Sequence, residues 1–295
     1  MIKHRIEYWL TYLTGRLLRV IPYSWALGIG SFLGWMAFDV ARVRRKVTLA
    51  NLKNSLGLEK KERIKIGRRA YQNFAKSMVE YSLLPSWNNN RMSQIIEFEG
   101  TENFDKALEK GKGAIIVAGH FGSWELMGAA TSQKGYPIDF LVGEQHNLLV
   151  DNLMNDYRRS AGIGIIKMGV AAKGIIKALK ENRFIAMLSD QDAGNDGTVV
   201  DFFNRPASTP KGPAAFALKM DAPLIMAFII RENNKKQRII IEKPIFVEKS
   251  ADKEADIEKL TQAYTSRLEK YIRRYPDHWF WPHRRWKSTT KEYEQ

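Results

Sequence analysis

The chain has 295 residues, 44% of them apolar, which is enough for one large or two small folded domains and excludes an intrinsically disordered protein. Its 47 Lys and Arg against 32 Asp and Glu give a formal net charge of +15, which favours partners such as nucleic acid, an anionic membrane face or an acidic carrier protein. The absence of cysteine excludes disulfides, a thiolate nucleophile and Cys-ligated metals.

Residues 1–45 are predicted to associate with a membrane. Apolar and aromatic stretches cover 6–13 and 20–40, and the basic cluster RVRRK follows directly. Aromatic residues favour the headgroup layer, and clustered Arg and Lys favour the cytoplasmic leaflet. The second stretch approaches the roughly 20 apolar residues of a span, but Pro22, three glycines and Asp39 favour an interfacial anchor or a shallow hairpin. A buried helical hairpin of a soluble domain is the alternative, and no cleavable signal peptide is predicted.

Residues 46–295 are predicted to form one α/β domain. Apolar residues at helical spacing between 47 and 84 indicate two amphipathic helices separated near Gly57. Beyond them, apolar runs indicate strands at 114–118, 138–142, 163–168, 184–188, 224–230 and 238–242, with helices around 124–130, 148–160, 173–180 and 212–220. This alternation predicts a mostly parallel sheet flanked by helices, which binds ligands at the carboxyl ends of its strands.

The segment GHFGSWELMG, residues 119–128, follows the first of these strands. Within one helix, His120 and Glu125 would lie about 140° apart and would not meet. If the helix begins near Ser123, a plausible N-cap, Glu125 in its first turn can reach back to the imidazole. A carboxylate on one ring nitrogen fixes the tautomer and leaves the other nitrogen to accept a proton from a hydroxyl. A capping histidine beside a surface glutamate is the structural alternative.

The segment GHFGSWE resembles the H-x-x-x-x-D/E motif of glycerolipid acyltransferases, in the lysophospholipid acyltransferase superfamily. In detail it is similar to the bacterial late acyltransferases of lipid A biosynthesis, the lauroyl and myristoyl transferases. Blocks at 146–162, 186–223 and 278–287 extend the resemblance over nearly the whole chain. It implies the glycerolipid-acyltransferase α/β fold, acyl carrier protein as the acyl donor, and a glycolipid acceptor such as a lipid A precursor like Kdo2-lipid IVA. It also implies a place at the inner membrane with the active site on the cytoplasmic side, and it requires no cofactor and no metal.

The same resemblance assigns catalytic roles to three residues. It makes His120 the general base and Glu125 the group that orients it, and it aligns the family's functional arginine with Arg158, next to Arg159. A guanidinium there would hold the oxyanion of the reaction or, through its bidentate fork, a phosphate of the acceptor. A solvated arginine on a helix is the alternative.

Two further blocks supply candidate substrate contacts. The segment SDQDAGNDG, residues 189–197, puts Asp190 and Gln191 just after a strand, where Asp190 would order the loop or bind a sugar hydroxyl. A calcium loop is the alternative, but the regular ligand spacing and the terminal glutamate are missing. Ser208 and Thr209 precede a predicted helix and offer phosphate contacts or a plain N-cap.

The C-terminal block HWFWPHRRWK, residues 278–287, mixes aromatic and basic side chains. Such a segment can stack on single-stranded nucleic acid or sit at a headgroup layer. Because no nucleic-acid fold motif accompanies it, we expect an anionic membrane surface as partner and no nucleic acid. His283, Arg284 and Arg285 are candidate contacts for acceptor phosphates. In the structural alternative, the tryptophans close the core.

The chain departs from the resembling family at LVGEQHNLL, residues 141–149. Many lipid A transferases carry an Arg-Pro pair there, where this chain has Gly143, Glu144 and Leu148. Another glycolipid, such as a mannosylated phosphoinositide, or a lysophospholipid is therefore an alternative acceptor. Two functions from other classes are alternatives. A serine esterase would rest on Ser123 alone, without a G-x-S-x-G elbow. A non-enzymatic basic protein that binds membrane or nucleic acid would keep its activity in His120→Ala.

Overall fold

The N-terminal part is helical in the computed structural model, which describes residues 2–233 and 236–290 except for the side chain of residue 170. Helices α1 (Ile2–Val20) and α2 (Tyr23–Trp35) are followed by a π-helical turn (Met36–Val40), by α3 (Arg45–Leu56) and by α4 (Lys60–Leu83). The last two confirm the predicted helix pair. Gly57 ends α3 in the left-handed conformation, with φ 64°, which glycine adopts without steric cost.

Helix α2 packs closely on α4. A Cβ atom added at Gly34 would lie 2.5 Å from backbone atoms of α4, and one at Gly30 would lie 3.0 Å from them, so these two glycines let the helix axes approach. The hydroxyl of Tyr23 donates to the buried carboxylate of Glu80 at 2.6 Å, and Glu80 in turn accepts two hydrogen bonds of 2.7 Å from Arg231 in the sheet. Helix α2 is thereby joined to the α/β part of the molecule.

Within the described residues, no single helix is both long enough and apolar enough to cross a bilayer. The segments Tyr23–Val40 and Arg45–Leu56 meet that requirement only together, and they are bent by 89° at their break. Helices α1 and α2 nevertheless expose large apolar side chains, which we call the apolar surface: Ile2, Ile6, Trp9, Leu10, Leu13, Leu17, Trp25, Ile29, Phe32 and Leu33.

Seven strands form the main sheet. They are β1 (Ile96–Glu99), β2 (Ala114–Ala118), β3 (Ile138–Val142), β4 (Gly164–Lys167), β5 (Phe184–Leu188), β8 (Leu224–Arg231) and β9 (Gln237–Ile241), and a separate antiparallel hairpin consists of β6 (Thr198–Asp201) and β7 (Pro206–Thr209). Their order is β1-β9-β8-β2-β5-β3-β4, with β8 and β9 antiparallel and the other described pairs parallel. The mostly parallel sheet is confirmed, and all six predicted strands are present.

Helices cover both faces of this sheet. They are α5 (Asn89–Ile95), α6 (Glu102–Glu109), α7 (Trp124–Gln133), α8 (Leu148–Ser160), α9 (Ala171–Lys180), α10 (Gly212–Met220) and α11 (Lys253–Arg274). Strand β2 shows the period-two pattern of a strand buried on both sides: Ile116 packs in the core on the α7 side, and Ile115 packs in the core shared by α9, α10 and α11. The central strand is therefore buried along its length, and its carboxyl end is fixed.

Candidate active site

The loop between β2 and α7 holds His120 at the carboxyl edge of the sheet. Gly122 turns this loop with φ 59°, and a Cβ there would run into the carbonyl oxygen of Ile229, so the close approach to β8 requires glycine. Helix α7 begins at Trp124 with Ser123 as its N-cap residue, although the hydroxyl makes no capping hydrogen bond. His120 thus sits before the helix, not within it.

The carboxylate that binds the imidazole belongs to Asp190. Nδ1 of His120 lies 2.8 Å from Oδ1 of Asp190, and the backbone N–H of His120 donates to Oδ2 at 2.9 Å. Strands β2 and β5 are parallel neighbours, so the loops that follow them meet at one edge of the sheet. Burial opposes the charge of Asp190, but the charge and hydrogen bonds of His120 and the Trp279 indole hold the pKa of Asp190 at about 2. Asp190 is therefore an acceptor for Nδ1–H, which leaves Nε2 to accept a proton.

The environment of His120 favours its protonated form. Burial lowers the imidazole pKa, but the charge of Asp190, its hydrogen bond and the charge of Glu125 outweigh this, so the pKa of His120 rises above its ordinary 6.5. The side-chain nitrogen of Gln191 lies 3.4 Å from Nε2, and the Trp124 ring packs edge-on with its centroid 5.1 Å from that of the imidazole. An imidazolium formed during a reaction would be stabilised here.

Glu125 binds Arg158. Nε and Nη2 of Arg158 donate to the two carboxylate oxygens at 3.0 and 2.6 Å, and Nη1 donates to Asn155 at 2.8 Å. Among the hydrogen bonds of the described residues there is none between Glu125 and His120. The predicted contact between them is thus corrected: the bidentate pair with Arg158 occupies the Glu125 carboxylate, and Asp190 takes the place beside the imidazole.

A cavity of about 770 Å³ opens beside these groups. Polar side chains in its lining include His120, Glu125, Arg158, Gln191 and Asp192. Apolar side chains of the sheet, α7, α9 and α10 form much of the rest, among them Ile116, Met127, Ile138, Phe140, Ile175, Met187 and Phe216. A volume of this size, with a mostly apolar lining, suits a ligand with a long alkyl chain.

Three of the predicted substrate contacts bind one another and stay outside the cavity lining. Arg285 is only 1% exposed, and its guanidinium donates to the carbonyl oxygen of Ser208 and to the hydroxyl of Thr209. The Ser208 hydroxyl donates to the carbonyl of Gly194 at 2.6 Å. These bonds fasten the C-terminal segment to β7, because a buried guanidinium needs fixed acceptors. The substrate role of the three residues stays a prediction.

Three more predicted contacts also lie outside the lining of the described cavity. Arg159 points outward from α8 and pairs with Asp156 at 2.8 Å, and Arg284 is exposed. His283 is partly buried, and that burial lowers its pKa to about 4, so it is neutral near pH 7. Asp190 and Gln191, the other predicted substrate contacts, lie beside His120.

Trp279 is a member of the site that sequence reasoning missed. Its indole N–H donates to Oδ2 of Asp190 at 2.8 Å, and its side chain is only 2% exposed. Neighbouring backbone groups hold the histidine loop: Gly122 donates to the carbonyl of His278 at 2.8 Å, and Phe280 donates to that of His120 at 3.0 Å. The aromatic block had been predicted at a headgroup layer, but its tryptophans are buried. The three tryptophans in residues 278–287 were the sequence signal for this segment, but nothing in the sequence indicates that Trp279 binds Asp190.

A base held by a buried carboxylate, beside an apolar cavity, defines a class of enzyme that activates a nucleophile next to a bound alkyl chain. The family described as "Bacterial lipid A biosynthesis acyltransferase" matches residues 1–288. The chain belongs to this family and is an acyltransferase, as the sequence resemblance predicted.

Several curated proteins are similar to this chain. It is 24% identical to the lipid A biosynthesis palmitoleoyltransferase of Escherichia coli K12 over 96% of this chain and 92% of that protein. It is 26% identical to the lipid A biosynthesis lauroyltransferase of the same organism, with the same coverage. It is also 24% identical to the phosphatidylinositol mannoside acyltransferase of Mycolicibacterium smegmatis, over 72% of this chain and 69% of that protein.

Proposed function

We propose that this acyltransferase moves a fatty acyl chain from the thioester of acyl carrier protein to a hydroxyl of a lipid A precursor like Kdo2-lipid IVA. The observation that carries the proposal is the pair of His120 and Asp190, in which His120 lines the mostly apolar cavity and Asp190 binds its Nδ1. The two lipid A transferases of Escherichia coli, which align over 96% of the chain, support this class of acceptor.

The proposed mechanism follows from the tautomer of His120, in which Nδ1–H donates to Asp190 and Nε2 is free to accept a proton. Nε2 accepts the proton of the acceptor hydroxyl as its oxygen attacks the thioester carbonyl. The tetrahedral intermediate then collapses, its C–S bond breaks, and the leaving thiolate takes the proton back from the imidazolium. Asp190 stabilises that imidazolium through Oδ1, 2.8 Å from Nδ1. No covalent acyl-enzyme is needed, because the hydroxyl itself is the nucleophile.

Arg158 is the candidate for binding the oxyanion or an acceptor phosphate. Its contacts with Glu125 and Asn155 use three of the five guanidinium N–H groups, and the residue lines the cavity. Glu125 then acts through Arg158, by holding the guanidinium plane in one orientation. Gln191, which also lines the cavity, is a second candidate contact for the acceptor.

The apolar surface of α1 and α2 supports a place on the membrane. It continues toward the cavity, because Leu148 and Leu149 at the start of α8 are exposed and the neighbouring Asn147 donates to the backbone of His4 in α1 at 3.0 Å. Met168, 62% exposed, lies on the cavity rim. We therefore place this surface in the headgroup layer of the inner membrane, on the cytoplasmic side, where the formal charge of +15 favours anionic lipid.

A second glycolipid acceptor is supported by one specific feature. The loop 141–149 lacks the Arg-Pro pair seen in many lipid A transferases, and Gly143 and Gln145 of this loop line the cavity instead. The similarity to a phosphatidylinositol mannoside acyltransferase points the same way. A mannosylated phosphoinositide or a lysophospholipid is therefore the alternative acceptor.

The test uses the full chain in a membrane fraction, with lauroyl- or myristoyl-charged acyl carrier protein and a tetra-acylated, Kdo-bearing lipid A precursor. Product mass should rise by one acyl chain, and His120→Ala should abolish this gain. His146→Ala is the matched control, because His146 lies outside the described cavity lining and should be dispensable. Full turnover in His120→Ala would overturn the mechanism. If the precursor gains no acyl chain but the charged carrier protein is consumed when total membrane lipid is supplied, the acceptor is a different lipid.

A further inference from the structure

The C-terminal segment 278–280 is hydrogen-bonded to the loop that holds His120 and to Asp190. Two of the bonds are backbone hydrogen bonds with Gly122 and His120, and Phe121 and Trp279 form an isolated antiparallel bridge. The third is the bond from the Trp279 indole to Asp190. A tryptophan nearly 160 residues along the chain from His120 is thus held beside the carboxylate on which that histidine depends.

The two oxygens of Asp190 have separate partners. Oδ2 accepts from the Trp279 indole at 2.8 Å and from the His120 backbone at 2.9 Å, which leaves Oδ1 directed at Nδ1 of His120. The carboxylate is 2% exposed, so water does not substitute for a missing donor. Gly119 packs against it closely enough that an added Cβ would lie 3.3 Å from the carboxylate carbon. The carboxylate is therefore held in one rotational state.

The indole that makes this contact is itself fixed by packing. The Trp279 ring lies edge-on to those of Phe202 and Trp281, with centroids 5.6 and 4.7 Å apart. Aromatic rings in such a cluster have little freedom to reorient. The donor direction of the indole N–H is set before any substrate binds.

We propose that Trp279 is a positioning residue for acyl transfer: its indole N–H holds the Asp190 carboxylate so that Oδ1 meets Nδ1 of His120. This inference rests on the proposed role of His120 as general base. Trp279 touches neither the reacting atoms nor the cavity lining, and it acts through Asp190.

Trp279→Phe tests the inference, because it removes the N–H and keeps most of the ring. We expect kcat to fall about 10- to 100-fold, the usual range for a group that orients a functional residue, with KM for both substrates nearly unchanged. Trp281→Phe is the matched control: its indole is equally buried and donates to the carbonyl of Pro276 at 2.6 Å, with no bond to Asp190. It should lose stability to a similar degree and keep kcat within about twofold.

The pH profile separates positioning from simple packing. Without the indole donor, Oδ1 of Asp190 is no longer held against Nδ1 of His120 and stabilises the imidazolium less, so the acid limb of kcat/KM should move to lower pH in Trp279→Phe. It should stay in place in Trp281→Phe. If Trp279→Phe folds poorly, replacing the indole at position 279 by benzothiophene keeps the ring shape and removes only the N–H.

The outcomes distinguish this inference from the proposed function. If His120→Ala is inactive while the folded position-279 variant keeps its kcat and its pH profile, the positioning role is wrong and the acyl-transfer mechanism stands. If Trp281→Phe changes both as much as Trp279→Phe does, the effect is one of packing, and the inference fails. If His120→Ala keeps full turnover, the proposed base has failed first, and Asp190 has nothing to orient.

Discussion

At the scale of single residues, the charge of Asp190 controls how readily His120 accepts and releases a proton. Asp190→Asn keeps the shape of the side chain but removes the charge and presents an amide to Nδ1. We expect kcat to fall by a factor of about 10³ to 10⁴, because the wrong tautomer is favoured and the imidazolium loses its counter-charge. Asp156→Asn is the control: its side chain is 68% exposed on α8 and lies outside the lining of the described cavity, so this variant should retain most of its turnover.

The pH dependence of kcat/KM tests whether Asp190 sets the pKa of His120. His120 acts as a base only when neutral, and its pKa lies above 6.5 because Asp190 outweighs the effect of burial. In the wild type, kcat/KM should therefore fall as the pH is lowered through a midpoint above 6.5. In Asp190→Asn burial remains and the charge is gone, so the midpoint should move to lower pH. A midpoint that stays where it was would show that Asp190 does not set the pKa of the base.

The pair of Glu125 and Arg158 makes a different prediction, because both side chains are nearly buried, at 5% and 11% exposed. Glu125→Ala leaves a guanidinium without its counter-charge, and we expect a loss of about 3 to 5 kcal/mol in the free energy of unfolding in urea. The double variant Glu125→Ala/Arg158→Met should recover much of that stability without recovering activity. A loss below about 1 kcal/mol in the single variant would mean that the pair is not a structural one.

At the scale of elements, the strands that build the site were readable from the sequence, and the contacts between them were not. Short apolar runs mark β2 and β5 in the sequence, so His120 and Asp190 could each be placed at the carboxyl edge. Their pairing depends on the strand order, in which β5 lies next to β2 although β3 and β4 come between them along the chain. The H-x-x-x-x-D/E resemblance predicts Glu125 as the partner of His120, whereas the pairing of β2 with β5 brings the carboxylate of Asp190 to the imidazole.

Some short strands and the burial of the C-terminal tryptophans were not predicted, for related reasons. Strands β1, β6 and β7 have four residues each, and polar or charged residues interrupt the short apolar run that would mark a strand. The buried role of the C-terminal tryptophans depends on contacts with Phe202 and Asp190, which lie far away in the chain. Composition alone cannot distinguish aromatic and basic residues that lie at a headgroup layer from ones that are buried, as Trp279 and Arg285 are here.

The packing of α7 on the sheet predicts how the cavity can be narrowed. Gly128 lies on the face of α7 toward Phe140, both residues line the cavity, and an added Cβ would overlap the Phe140 ring. Gly128→Ala should push that ring into the cavity, so turnover of long acyl chains should fall by about tenfold relative to short ones. Competition between donors of different chain length, read by product mass, measures the ratio.

Gly28→Ala in α2 is the matched control for this change. It is also a glycine in a helix, and an added Cβ meets nothing within 4 Å, so the ratio of chain lengths should stay the same. Stability should rise slightly there, because alanine favours the helix over glycine by up to about 1 kcal/mol. An unchanged ratio in Gly128→Ala would mean that the acyl chain does not pass Phe140.

At the scale of the whole molecule, a buried polar network joins the apolar surface to the active site. Tyr23 of α2 bonds to Glu80, Glu80 binds Arg231, and the backbone N–H of Arg231 donates to Nε2 of His278 at 3.0 Å. The carbonyl oxygen of His278 accepts a hydrogen bond from the N–H of Gly122, in the loop between β2 and α7 that holds His120. Each link is a hydrogen bond between buried or partly buried groups, so the helices proposed to contact lipid are rigidly positioned relative to His120.

Membrane binding can be tested apart from catalysis by substitutions on the exposed side of α1 and α2, which leave this hydrogen-bonded network unchanged. Leu13 and Phe32 belong to the apolar surface and are 52% and 56% exposed, so replacing both by serine should cost little stability. Binding to vesicles of phosphatidylethanolamine and phosphatidylglycerol should weaken about tenfold or more, because each side chain loses apolar area that the lipid would cover.

Phe246→Ser is the control for that change. Phe246 is 68% exposed, but it follows β9 and lies beside Lys110, at the amino edge of the sheet and opposite His120. Cosedimentation should show unchanged binding for this variant, and with all lipid in detergent micelles both variants should turn over like the wild type. Unchanged binding in both variants would indicate binding through net charge alone, which 0.5 M salt would abolish by screening. A selective loss at α1 and α2 that persists in salt would show that these helices carry the enzyme to its lipid substrate.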